Sequence, residues 1–277
     1  FDVAEGSASG YMAAKARDHA VEAIPVFLHR RFRHGFIYVN TSKGITKPAD
    51  LIGRKVGVKS YLVTATLWLR GILEEHYGVP HRSIEWFSEL DEDVDIALPE
   101  GVSLTKIPEE KSIEDMLLDG EIDALLHPDL IQSVREKDPR VGRLFPDYKN
   151  EEIAFYQRTG IFPIMHFLGI KKELAERYPF IAINLYKAFD EARKIAMKRM
   201  QDPRRVPLAW YREAWEEQQA LLGDDPWQYG ATEKNRHNVD RLSSYAFEQG
   251  LTGRKLEWND LFLDLAQGRK RGHVARF

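Results

Sequence analysis

The stretch Gly53 to Gly78, GRKVGVKSYLVTATLWLRGILEEHYG, leaves this chain few choices of fold. Lys55 to Val58 is a short β-branched run, and Gly57 and Ser60 loosen its exit. Tyr61 to Tyr77 then sets Leu62, Ala65, Leu69, Ile72 and Leu73 at helical spacing, and Gly78 stands where a helix end favours a left-handed residue. The pattern predicts strand, tight turn and helix in succession. A helix beginning near Ser60 presents N–H groups without internal partners at the positive end of its macrodipole, a place for a carboxylate or phosphate. Ser60, Tyr61 and Thr64 are therefore candidate ligand-binding residues. The plainer reading is that Ser60 only caps its helix.

At 277 residues, 43% of them hydrophobic, the chain can bury one large core or two medium ones, and two lobes suit this length better. Forty basic residues against 43 acidic ones give a net charge of −3. This balance offers no bulk attraction to nucleic acid or to a membrane surface, and it points to a small-molecule partner. The absence of cysteine excludes disulfides, thiolate metal sites and a cysteine nucleophile. No apolar run reaches the length of a membrane span. The sequence opens on Phe1 rather than methionine, which leaves room for a targeting segment or a first structural element upstream.

Phe1 to Ala4 reads as a strand entry, and Glu5 to Gly10 as a small polar turn before a helix over Tyr11 to Glu22. Ser7 and Ser9 sit at that junction, either as donors facing a cleft or as ordinary caps. Strands are expected at Ala23 to Leu28 and Phe36 to Val39, flanking the basic run His29-Arg-Arg-Phe-Arg-His34. Arg33 and His34 directly precede the second strand, where a carboxylate clamp can be anchored. The turn-rich segment from Gly44 to Asp50 marks a first crossing into a second lobe. Ile122 to Leu126 reads as a buried strand with His127 at its carboxyl end, the edge at which open α/β sheets bind ligands. Thr159-Gly-Ile-Phe-Pro-Ile-Met-His166 is an apolar segment broken by Pro163, read as the return crossing, with His166 at the interlobe wall. The expected division is thus residues 1–44 and 164–277 in one lobe and 45–163 in the other. Amphipathic helices and a basic tail from Arg269 to Phe277 complete the chain.

The strings FDVAEGSASGYM, PVFLHRRFRHGFIYVN, GITKPADLIGRKVGV, TATLWLRGILEEHYGV, GEIDALL, RLFPDY, RTGIFPIMH, NLYKAF, DPWQYG and YAFEQGL, in this order over nearly the whole chain, resemble the 4,5-dihydroxyphthalate decarboxylases. The resemblance implies an α/β, two-lobe, type II periplasmic-binding-protein-like fold with two crossings and the ligand between the lobes. It also implies a further strand and helix ahead of the FDVA string. Ala4, Gly6 and His127 depart from the usual family residues at expected cleft walls, which bears on the substrate more than on the fold.

Loss of carbon dioxide from a hydroxylated aromatic acid needs no electron-sink cofactor when a ring hydroxyl para to the departing carboxylate feeds charge to the carbon being protonated. The protein must then supply a proton donor, an acceptor at the phenol, anchors for the remaining carboxylate and a dry wall. His166 and His127 are the candidates for proton transfer, since imidazole exchanges protons near neutral pH. Arg33 and the Ser60 to Thr64 helix start are the anchors, and Trp68, Phe162 and Phe167 the wall. No His-x-x-x-His or comparable spacing is present, so neither metal nor cofactor is expected. These residues fit a cytoplasmic carboxy-lyase acting on a small aromatic carboxylate, with homo-oligomer formation left open. They also fit a solute-binding protein that captures a small anion for a transporter.

Overall fold

The computed structural model describes residues 1–266, so the basic segment Arg269 to Phe277 lies outside the described residues. Nine strands form two sheets. The first joins β1 (Val3–Ser7), β2 (Val21–Ile24) and β9 (His166–Lys171), with β9 central and antiparallel to both. The second runs β6-β5-β4-β7-β3-β8, comprising β3 (Ile37–Asn40), β4 (Lys55–Val58), β5 (Glu85–Ser88), β6 (Ser103–Lys106), β7 (Ala124–Leu126) and β8 (Val141–Arg143). Strands β6, β5, β4 and β7 are mutually parallel, while β3 is antiparallel to both β7 and β8. All three residues of β7 are fully buried, as expected of a strand covered on both faces.

The helices are α1 (Ala8–Lys15), α2 (Thr64–Tyr77), α3 (Ile113–Leu118), α4 (Gln132–Arg135), α5 (Tyr148–Thr159), α6 (Lys172–Arg177), α7 (Phe180–Met200), α8 (Tyr211–Leu222), α9 (Glu233–Glu248) and α10 (Trp258–Leu261). Helix α1 is shorter and earlier than Tyr11 to Glu22, because Ser7 caps it and β2 already begins at Val21. Gly57 lets α3 lie close on β4, since a Cβ there would sit 2.6 Å from Ile113 and 2.7 Å from Ile122.

The chain passes between the sheets twice, and the two segments run side by side. Arg31 N donates to Pro163 O at 3.0 Å and Met165 N to His29 O at 2.9 Å, around an isolated antiparallel bridge between Arg30 and Ile164. The first passage lies before Ile37 rather than at Gly44, because β3 hydrogen-bonds to β7 and β8 and so already belongs to the larger sheet. One continuous apolar core includes residues of both sheets, with a smaller cluster on the other face of β3 and β7.

Helix α2 links the two halves. It packs on α1 and α9, and the Trp68 indole donates to Ile164 O at 2.9 Å. Arg70 is fully buried, lies 3.7 Å from the Tyr61 ring centroid and donates to Gln249 Oε1 at 2.7 Å. Gly71 admits the Tyr245 ring, since a Cβ there would lie 2.4 Å from it.

Candidate active site where the two sheets meet

Three hydroxyls meet where the β1–α1 junction faces the start of α2. Ser7 Oγ lies 2.8 Å from Thr64 Oγ1 and 3.1 Å from Ser9 Oγ, while Ser9 Oγ lies 2.9 Å from Thr64 Oγ1. Ser9 N donates to Thr64 Oγ1 at 3.1 Å, and Ser9 Oγ donates to Leu62 O. Ser7 also caps α1 through Gly10 N. Ser7 thus acts as the cap of α1, and both serine hydroxyls also meet Thr64 at the start of α2. The first N–H groups of α2, on Thr64, Ala65 and Thr66, have no backbone acceptor within the helix.

The helix start differs from the expectation in one respect. Helix α2 begins at Thr64 with Val63 in the cap position, so Ser60 is not its cap. Tyr61 N and Leu62 N donate to the two carboxylate oxygens of Glu92 at 2.6 and 2.8 Å. The anion expected beside Tyr61 is thus the protein's own, delivered by the acidic loop after β5. Ser60 is buried, and its carbonyl accepts from Thr66 Oγ1 at 3.3 Å. Tyr61 is an interior ring between Arg70 and Trp86, its phenol pushed up by burial.

His166 opens β9 directly opposite Ser7 in the sheet. Its Nδ1 lies 2.6 Å from Glu5 Oε1, and its ring meets the His29 ring edge-on at 4.9 Å. Burial, then the neighbouring His166 and Arg33, push His29 down to about 4, so it is neutral at physiological pH. Glu5 and Ser7 also border a cavity of about 370 Å³ together with Tyr11, Phe167 and Asp93, but His166, Ser9 and Thr64 are not among its lining residues.

Arg33 is 2% exposed and spans the two passages. Its Nη1 donates to Pro128 O at 2.7 Å and its Nε to Met165 Sδ at 3.1 Å, so the guanidinium ties the end of β7 to the residue before His166. No carboxylate among the described residues forms an ion pair with it. Its expected reach to the helix start at Ser60 is not what holds it. Adjacent to it, burial pushes Glu152 of α5 up to about 7, while Gly35 N donates to its carboxylate at 3.2 Å.

His34 is a core residue rather than an anchor. Its ring packs against Tyr77, Phe145 and Phe155 at the far end of α2, both of its nitrogens are unpartnered, and burial pushes it down to about 4. His127 follows β7, where Nδ1 accepts from Asp129 N at 3.1 Å and so closes a local turn. The structure therefore brings Ser7, Ser9 and Thr64 into one hydrogen-bonded cluster, sets His166 opposite Ser7 in the sheet, and places His34 in the aromatic core and Ser60 and Tyr61 in interior contacts of their own. Sequence reasoning missed Glu5, His29 and Glu92. Only the strand alternation that puts Glu5 and Ser7 on one face could have suggested Glu5. Among the described residues no group of three or more histidine, aspartate or glutamate side chains is arranged to hold a metal ion. No helix among them is long and apolar enough to cross a membrane.

Over 271 residues the chain is 38% identical to a 4,5-dihydroxyphthalate decarboxylase of Comamonas testosteroni, a match that spans 95% of this chain and 82% of that protein. It belongs to the 4,5-dihydroxyphthalate decarboxylase family. A second member, the 4,5-dihydroxyphthalate decarboxylase of Pseudomonas putida, is 32% identical over 164 residues, covering 57% of this chain and 64% of that one. No protein-family model matches. Among solved structures, the periplasmic aliphatic sulphonate binding protein of Escherichia coli superposes with a TM-score of 0.55 at 15% identity, over 95% of this chain and 79% of that one. This likeness fixes the fold of the family member described here: α/β, of the two-lobe periplasmic-binding-protein type.

Proposed function

We propose that this protein is a cofactor-independent decarboxylase of a hydroxylated aromatic acid, with 4,5-dihydroxyphthalate as the candidate substrate and His166 as the proton-transfer residue. The observation that carries the site is the placement of His166, half-exposed and paired with Glu5, beside the Ser7, Ser9 and Thr64 hydroxyls where the two halves of a family member meet.

The chemistry follows from that placement. The phenol para to the departing carboxylate gives its proton to water, and the electron pair moves through the ring to the carbon bearing that carboxylate. The His166 imidazolium protonates this carbon. The bond to the carboxylate then breaks, its electrons restore the aromatic ring, and carbon dioxide leaves. The Ser7, Ser9 and Thr64 hydroxyls and the first N–H groups of α2 hold the remaining carboxylate, and the buried positive charge of Arg33 favours an anionic ligand. His127, engaged in its own turn, is the competing proton donor. Catalysis rather than capture for transport goes with a cytoplasmic location, which cell fractionation checks.

The test is carbon dioxide release from a panel of hydroxylated phthalates. His166→Asn is expected to keep ligand affinity and lower kcat by roughly 10²–10⁴-fold, the usual worth of general acid–base catalysis. A comparable loss in His127→Asn alone moves the role there. Tight binding of the acids by the parent protein without turnover replaces the decarboxylase reading with anion capture.

A further inference from the structure

We infer that Glu5 is the positioning residue of His166: it fixes the proton on Nδ1 and presents Nε2 to the substrate. The inference rests on His166 as the proton-transfer residue and adds what that role requires of a neighbour.

The sheet brings the pair together. In the β1–β9 register Ser7 lies opposite His166 and Glu5 opposite Leu168. Glu5 and Ser7 share one face of β1, so Glu5 is the diagonal neighbour of His166, within reach of a long side chain. The resulting Oε1 to Nδ1 distance is 2.6 Å. An ionised carboxylate only accepts hydrogen bonds, so Nδ1 must carry the proton and the lone pair of the neutral ring is left on Nε2. His29 closes another side of the ring edge-on, and because it is neutral it does not compete for the Glu5 carboxylate as a cation.

A purely stabilising role fits the pair poorly. The His166 and Glu5 side chains are 36% and 41% exposed, and ion pairs this accessible to water contribute little to stability. Nor does the fold need the contact, since the backbone ladder from Val3 to Ser7 already sets the strand register. What the contact does is choose one tautomer and one orientation for a ring that is otherwise free to turn. A carboxylate that orients an imidazole while the opposite nitrogen does the chemistry is a recurrent arrangement in acid–base sites.

Two measurements on the full chain test this. Nitrogen-15 spectra of histidine-labelled protein, with the His166 signals identified by their loss in His166→Asn, are expected to show Nδ1 protonated and Nε2 unprotonated in the neutral ring. Glu5→Ala should shift both signals toward the averaged values of a free imidazole, and Glu5→Asp should restore part of the difference. In turnover, Glu5→Ala should lower kcat by about 10²-fold, the cost of misplacing a reacting group by an ångström, with little change in KM. The same substitution in a His166→Asn background should cost nothing further. Unaltered His166 nitrogen signals in Glu5→Ala, or an equal loss of kcat in both backgrounds, overturns the inference. A parent protein that decarboxylates no hydroxyphthalate removes the decarboxylase reading instead, and the nitrogen spectra then decide the pairing by themselves.

Discussion

Acid should destabilise this protein through His34, and the size of the effect can be worked from its surroundings. The ring is 1% exposed, packs on Phe145, Phe155 and Tyr77, and has no hydrogen-bond partner at either nitrogen. Burial, followed by the neighbouring His76 and Arg158, pushes it from 6.5 down to about 4. In the unfolded chain the same ring titrates near 6.5, so between about pH 6.5 and 4 the unfolded state binds the additional proton. Stability is therefore fully present above that window and falls as the pH drops through it. At pH 5 the linkage amounts to about 2 kcal/mol, at 1.36 kcal/mol per pH unit. His34→Phe keeps an aromatic ring in the same apolar pocket and removes the titration. Urea unfolding of both proteins at pH 7.5 and pH 5 isolates the term, because every other titrating group is common to the two. The variant should lose about 2 kcal/mol less than the parent on going to pH 5. The same acid-induced loss in both proteins would falsify the argument.

Glu152 titrates in the opposite sense. Burial raises its folded value to about 7, so its contribution is complete below about pH 4.5 and fades as the pH rises through 7. Glu152→Gln, which keeps an acceptor for Gly35 N, should therefore gain about 1–2 kcal/mol over the parent at pH 8 and little at pH 5, as read from urea midpoints. Glu92→Ala strips Tyr61 N and Leu62 N of their shared acceptor and should cost about 1–3 kcal/mol in chemical unfolding, whereas an unchanged midpoint shows that water replaces the carboxylate without loss. Gly71→Ala drives a methyl into the Tyr245 ring and should cost about 1–3 kcal/mol despite the better helix former, and a stabilised variant would mean that α2 and α9 separate freely. Thr64→Val removes the hydroxyl met by Ser7 and Ser9 and should raise KM for the aromatic acid roughly three- to tenfold, so an unaltered KM excludes this cluster from the binding site.

Much of the architecture was legible because it is written locally. The run Val56 to Val58, the helical spacing from Ala65 to Leu73 and the left-handed Gly78 are decided by a few adjacent residues, and all three stand in the structure as the sequence implies, although the helix starts at Thr64 rather than near Ser60. Ser112 likewise caps α3 through Asp115 N. Local pattern does not say which sheet a strand joins. Ile37 to Asn40 reads as a strand either way, and only pairing with β7 and β8 places the first passage before it. The site depended still more on distant partners. Nothing around Tyr61 announces that Glu92, some thirty residues on, satisfies its N–H. Nor does the run around Arg33 and His34 reveal that one side chain ties the passages together while the next enters an aromatic core. Glu5 and His166, 161 positions apart, become neighbours only because β1 and β9 pair in a single register. Periodicity and capping energies act within a few residues and survive in the sequence. Hydrogen bonds and burial between distant segments exist only once the chain has closed on itself, and on those this site was built.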